Sequence, residues 1–357
     1  MKKFDIYILK KFLSTFLIAI SLILAIAVIF DFSEKIDNFI DNKAPTKLII
    51  QDYYLNFLIY YGVAFSGLIT FISVIFFTSK MSDNNEIVAL YNAKISPYRL
   101  LLPYFVGALI IFTPNLFFQN YILPSMNESR MNFENQYIKN KDVLREKKLH
   151  KRLDDESYIF IRNYDVKNKK GFVVDIQKYN DNKITEKISA SIIEWSDDKM
   201  LWEFRNYQKK TISYKGLTSL KKDKVFVNLN INPEELFQQN RSIKSMNFQS
   251  LAKFIKIEKK RGNDFLTFYQ IEQNERFSNS FSIFIFTILG FLIANKKTRG
   301  GLGFKLTTGL AICFFYIFIM KFAVTFTLNS GTPAYIAIWT PNILFLISSI
   351  MVFKKLT

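Results

Sequence analysis

Charge-free apolar runs recur along the chain in two groups of three, with a long polar stretch between the groups. The first run is Phe12 to Phe30. The second lies between Asp52 and Lys80, and the third follows Arg99 and meets no charge until Glu128. The fourth lies between Arg276 and Lys296, the fifth from about Leu306 to Leu328, and the sixth from about Ala334 to Phe353. A hydrocarbon core of about 30 Å is crossed by roughly 20 helical residues, so the pattern predicts six transmembrane helices in a 3 + 3 arrangement. Pro103 and Pro114 sit near the two ends of the third span, where freed backbone groups find partners more easily. Lys2, Lys3, Lys10 and Lys11 ahead of the first run, with Ala25-Ile26-Ala27 inside it, have the look of a cleaved signal. The run continues past that site and exceeds an h-region of about 7 to 15 residues, so the segment is expected to stay.

The middle stretch, about 119–277, changes period. "KVFVNLNIN" (224–232) alternates, with Val225, Val227, Leu229 and Ile231 on one face and Asn228, Asn230 and Asn232 on the other. "SYIFIR", "GFVVDIQKY", "KITEKISASIIEW" and "MLWEFRNYQKKTISY" are further β-branched and aromatic runs separated by turn residues. Four or five strands of this kind predict a small antiparallel sandwich or open barrel, flanked by charged helices at about 125–150 and 247–275. The expected domains are 1–118 for spans one to three, 119–277 for the β-rich insertion, and 278–357 for spans four to six.

One polar stretch between spans two and three has a helical face of its own: "SDNNEIVALYNAKISPYRLLLP", 82–103. Asp83 and Glu86 have capping-box spacing, Ile87, Leu90, Tyr91 and Ile95 form a stripe, and Ser96-Pro97 ends the helix at about 96. Such a helix either lies on lipid or docks into a groove on a partner.

Composition sharpens the class. Half the residues are hydrophobic, with 38 Phe and 18 Tyr, yet the formal net charge is +18. The long uncharged runs set the chain apart from a basic nucleic-acid-binding domain. Lys and Arg collect at the N-terminus, at Lys80, Lys94 and Arg99, at Lys296, Lys297, Arg299 and Lys305, and at Lys354 and Lys355. The opposite short loops hold only Lys35, Lys43 and Lys47, among acids, and the uncharged "LNSGTP". The positive-inside rule therefore predicts cytoplasmic termini and an external middle domain.

Candidate chemistry is sparse. Cys313 is the only cysteine, so no intrachain disulfide forms, and His150 is the only histidine, so no metal cluster is expected. "RGGLGFKLT" lacks the spacing that cradles phosphates, and no nucleophile has a recognisable base, so no enzymatic activity is expected. Lys321 is the one charge inside the six runs, and helix rise places it roughly 24 Å beyond Lys305. An anionic lipid head group is one partner for it, and snorkelling to the interface is the other reading. Lys35, Lys43 and Lys47 are secondary head-group candidates.

"NEIVALYNAKISPYRLLLP" resembles the E-(I/L)-V-x-(L/M)-x-A-x-G-(I/F)-(S/T) segment of permease subunits of the lipopolysaccharide-export ABC transporter, the LptF/LptG type. The basic N-terminus, the 3 + 3 spans around a β-rich domain, "SMNFQSLAKFIKIEKKRGND" before span four and "TPAYIAIWTPNILF" in span six follow the family's order. The resemblance implies a bacterial inner-membrane protein with a jelly-roll-like periplasmic domain. It implies a permease that extracts lipopolysaccharide from the inner membrane and passes it to a periplasmic β-domain bridge. The implied partners are a cytoplasmic ABC ATPase dimer that binds the ATP, a second homologous permease and periplasmic β-rich lipid-transfer proteins. No cofactor on this chain is implied. The short helix would be the coupling helix, with Glu86 as its acidic residue and Ile87, Leu90, Tyr91 and Ile95 beside it. Lys94 stands where the family usually has Gly; a left-handed cap strains Lys, while a cation suits a helix C-terminus. Alternatives are another lipid or lipoprotein ABC exporter permease, or a non-transporting membrane anchor for the β domain. A proton-coupled carrier would place carboxylates or His within the spans, and the six runs hold none.

Overall fold

The computed structural model describes residues 3–138, 145–154, 156–165, 168–180, 183–213, 216–229, 231–233, 243–260 and 265–354. Lys2, Asn230, Lys355 and the side chain of His150 lie outside the described residues. The helices are α1 (Lys3–Asp41), α2 (Thr46–Asp83), α3 (Glu86–Asn92), α4 (Pro97–Ile138), α5 (Phe248–Lys260), α6 (Leu266–Ala294), α7 (Gly301–Ser330) and α8 (Ala334–Lys354). Six of them, all but α3 and α5, are long and apolar enough to cross a membrane. The described residues form two compact units: Met1–Arg130 with Lys244–Leu251 and Thr267–Thr357, and Met131–Ile243 with Ala252–Leu266. The helical unit thus reaches further into the middle stretch than 118 and resumes before 278.

The helices outrun the apolar runs because a helix satisfies its own backbone wherever it lies, so charged ends stay helical. In consequence Asp31, Lys35, Glu272, Glu275, Arg276 and Lys305 all belong to membrane-length helices, and Lys321 is not the one charge in them. Within α4, Pro114 removes a backbone donor, and a wide π turn, Phe118–Ile122, follows one helical turn later.

Two packed clusters hold the helical unit. In one, Phe12, Phe77, Tyr104 and Phe291 form a chain of rings with centroids 5.6, 5.2 and 5.0 Å apart, joining α1, α2, α4 and α6. In the other, Phe71, Phe286, Tyr316 and Phe345 do the same at 5.2, 4.9 and 5.2 Å, joining α2, α6, α7 and α8. Small and polar side chains bring the helices close, as expected where lipid offers no hydrophobic drive. Asn115 donates to Val63 O (3.0 Å) and Ser66 Oγ (2.6 Å) and accepts from Ser280 Oγ (2.7 Å). Asn342 accepts from Tyr316 Oη (2.7 Å) and donates to Ser278 Oγ (2.8 Å). The most apolar window of α6 is 72% buried and that of α1 only 11%, so α6 is the axle and α1 a peripheral helix.

The second unit contains an antiparallel sheet of β1 (Arg145–Arg152), β2 (Ser157–Asp165), β3 (Lys170–Asn180), β4 (Lys183–Ser196), β5 (Leu201–Ser213) and β6 (Gly216–Val227). Each strand pairs with its neighbours in sequence, an up-and-down meander. An inserted antiparallel sheet is present as expected, but among the described residues it is a single meander and not a sandwich or jelly roll, and of the alternating run 224–232 only the part up to Val227 is strand. β1 differs: the flanking helix expected to reach 150 has given way to a strand by Arg145. In "REKKLHKR" a single apolar residue, Leu149, is buried at 2%, and pairing with β2 decides the conformation where local pattern is silent. One face packs Ile159, Ile161, Ile193, Trp202 and Phe204, with Leu229 and Ile231 joining after β6 ends. Trp202 Nε1 donates to Ile231 O at 2.8 Å. The other face carries cross-strand pairs such as Lys224–Glu203 (2.9 Å) and Lys187–Asp175 (3.4 Å).

Candidate functional site

The helical unit has one end where α1 begins and α8 finishes, and another where the chain leaves α4 and re-enters α6. The predicted coupling residues lie at the first. There α2 continues through Asp83, and Asn84 and Asn85 N–H bond back to Lys80 O and Ser82 O at 3.1 Å each. Asn85, not Asp83, stands at the N-cap of α3, with φ 60° and no side-chain cap bond. The expected capping box does not form, because Asp83 is still inside the preceding helix. Asn tolerates the left-handed turn that separates the two helices.

The C-terminal end of α3 is a Schellman motif. Lys94, at φ 59°, donates its N–H to Tyr91 O (2.9 Å), and Ile95 donates to Leu90 O (3.1 Å). Ser96 then caps α4 by accepting from Arg99 N at 3.3 Å, with Pro97 in the first turn.

The stripe of α3 faces inward. Ile87 is 1% exposed, and Leu90, Tyr91 and Ile95 pack against the cluster that contains Phe12 and Phe77. The chain's own bundle covers much of this stripe, while Ile87, Tyr91 and Ile95 also form part of the wall of an adjoining groove. Its outward residues are Val88, Ala89, Asn92, Ala93 and Lys94. Beside them a groove of about 790 Å³ is lined by Val88, Lys94, Tyr98, Lys296 and Lys297.

Polar bonds tie α3 to both sides. Toward α1, Glu86 accepts from Lys11 Nζ (3.1 and 3.2 Å) and Tyr7 Oη (3.0 Å). Just beyond, Arg99 forks onto Asp5 with two bonds of 2.7 Å, and Asp5 is fully buried. Loss of Arg99 would leave the buried Asp5 carboxylate without this partner, whereas loss of Asp5 would leave a guanidinium that is partly exposed to solvent. Toward α6 and α7, Tyr91 Oη donates to Asn295 Oδ1 (3.2 Å) and Ser82 Oγ to Asn295 O (3.3 Å). Burial pushes the Tyr91 phenol above its ordinary pKa and keeps it a donor. Lys305, 1% exposed, donates to Ala294 O at 3.2 Å and lies 4.0 Å from Asp83 Oδ1.

The predicted lipid-facing lysines lie toward the other end and separate into two kinds. Lys35 bonds to Asp31 and Tyr53, so it is not a free cation. Lys43, at φ 49°, and Lys47 are exposed at the α1–α2 turn. Lys321 lines a cavity of about 460 Å³ bounded by α2, α4, α6 and α7, and Glu275 and Lys244 line it too.

A scan against protein-family profiles matches residues 6–355 to the family described as the lipopolysaccharide export system permease LptF/LptG. The chain belongs to this family. A comparison with curated proteins finds no match. The LptF/LptG match takes in both helix triplets, α3 and the inserted sheet, so the architecture above is that of one family member along its length.

In this LptF/LptG chain the bonding around α3 includes residues that periodicity does not reveal. Asp5, Tyr7, Lys11 and Asn295 hold α3 or its flanks, yet they lie far from it in sequence and reach it only through folding. Asp5 had one signal, being the lone acid in a basic N-terminal segment.

Proposed function

We propose that this chain is a permease subunit of an ABC transporter that extracts lipopolysaccharide from the bacterial inner membrane. The proposal puts α3 on the cytoplasmic side against an ATPase dimer, and the sheet in the periplasm. A second permease of the family completes the pathway, and β-rich periplasmic proteins receive the lipid. ATP is bound and hydrolysed on the partner.

The observation that carries this reading is the double attachment of α3. Glu86 joins it to the peripheral helix α1, and Tyr91 joins it to the α6–α7 turn. Residues Val88, Ala89, Asn92, Ala93 and Lys94 remain outward for the ATPase. A push on that face passes through polar bonds into α1 and α7, the helices with the lowest burial, which would bound the lipid path. Glu86 on this reading is a transmitting contact within the permease. A plain membrane anchor would have no use for such attachments. At the far end Lys321, with Lys43 and Lys47 nearer solvent, would meet lipid phosphates.

Charge reversal tests it in the reconstituted complex. Lys11→Glu and Glu86→Lys should each lower glycolipid-stimulated ATP turnover about two- to five-fold, as fits a half-exposed pair, and the double reversal should restore it. Turnover that is unchanged in both single variants would sink the transmission route.

A further inference from the structure

The cavity beside Lys321 has an apolar body and a rim of both charges. Val63, Leu68, Phe286 and Met320 line it, as do the ion-paired Glu272 and Arg276, while Lys244, Glu275 and Lys321 supply the remaining charges. These three side chains make no hydrogen bond or ion pair among the described residues, although Glu275 lies within the field of both lysines. Arg276 is not part of the free rim, since it donates to Met246 O (2.8 Å) and Glu272 (3.3 Å). A volume of about 460 Å³ falls in the range of small-ligand pockets, about 300–1,000 Å³, which are largely apolar with a few convergent polar groups.

The position along α7 adds to this. Lys321 stands roughly 24 Å from Lys305, near the full thickness of a hydrocarbon core, so the rim lies at head-group depth and the apolar walls at acyl depth. The two lysines favour a phosphate. Lys244 and Lys321 are exposed and Glu275 is half-buried; Glu275 opposes a head group that is anionic throughout, because like charges would face each other, and it favours one that also carries an ammonium.

We propose that this cavity binds a zwitterionic phospholipid, with the phosphodiester against Lys321 and Lys244 and the ammonium against Glu275. The bound lipid is a companion to the exported one, held inside a single permease subunit. The inference rests on the reading above only in taking Lys321 to meet lipid, and its test uses neither nucleotide nor lipopolysaccharide.

Delipidated complex is titrated with short-chain phosphatidylethanolamine, the matching phosphatidylglycerol, and phosphatidylethanolamine acetylated on its amine, with binding followed by ³¹P line broadening. Phosphatidylethanolamine should bind best. Lys321→Ala should weaken it about tenfold, and Lys321→Arg should retain it. Glu275→Gln, which is nearly isosteric, should abolish the preference over the other two lipids. Equal binding of all three lipids to the unaltered complex, a preference that survives Glu275→Gln, or no binding at all overturns the proposal. Selective binding in a complex whose ATP turnover ignores lipopolysaccharide would leave this site standing and remove the export reading. Normal stimulation without selective binding would do the reverse.

Discussion

At the residue scale, α3 turns on backbone conformation as much as on charge. Lys94 sits at φ 59° in the position that a Schellman motif normally gives to glycine. Lys94→Gly should therefore raise stability by about 1 kcal/mol, read as a shift in the thermal or denaturant midpoint of purified protein; an unchanged or lowered midpoint would show that the lysine side chain offsets the strain. The family's glycine pattern made that strain legible in sequence. Glu86 was legible as the acidic residue of the helix, but its partners were not. Lys11 and Tyr7 lie more than seventy positions away, and a periodicity of 3.6 speaks only of neighbours on one helix. The apolar stripe was read correctly as a stripe. Whether it faced lipid, a partner or the chain itself depended on what folded over it.

At the element scale, α1 is held by close approach to α4. A Cβ on Gly107 would overlap the Phe12 ring, which is fully buried in the ring chain with Phe77 and Tyr104. Gly107→Ala is expected to cost about 1–3 kcal/mol by overpacking, and Phe12→Leu in the same chain to recover part of it, measured by thermal unfolding in detergent. Additive losses in the double variant would mean that the two residues do not share this contact. Six long helices were evident from the apolar runs, because a span must be apolar along its length. The ends of those helices were not evident, because charged turns at either end remain helical without altering the runs. The same limit hid Glu275: it lies beyond the fourth run, yet within α6 and at the cavity. Strands β2 to β5 showed themselves as β-branched and aromatic runs, while β1 has one apolar residue, Leu149, and no periodicity to show.

At the scale of the whole molecule, the proposed function requires α3 and the sheet to lie on opposite sides of the membrane. Ala89→Cys, on the outward side of α3, and Leu220→Cys, half-exposed on β6, supply thiols for a membrane-impermeant reagent; native Cys313 is 2% exposed and adds little background. In intact spheroplasts position 220 should label and position 89 should label only after lysis. Labelling of both from the same side would refute the topology.

What the sequence determined by itself was the solvent of each segment. Apolar runs, lysine and arginine clusters and strand alternation report one-body preferences, and those sum along the chain whatever the fold: six spans, a β insertion, a short amphipathic helix between spans two and three. Pairing came only with the packed fold. That fold gave Glu86 to Lys11, Asp5 to Arg99 and Lys35 to Asp31, turned the α3 stripe inward, and set Glu275 beside Lys321. The physical reason is that a hydrogen bond or ion pair depends on distances of a few ångströms between residues remote in sequence, and only the packed helices set those distances.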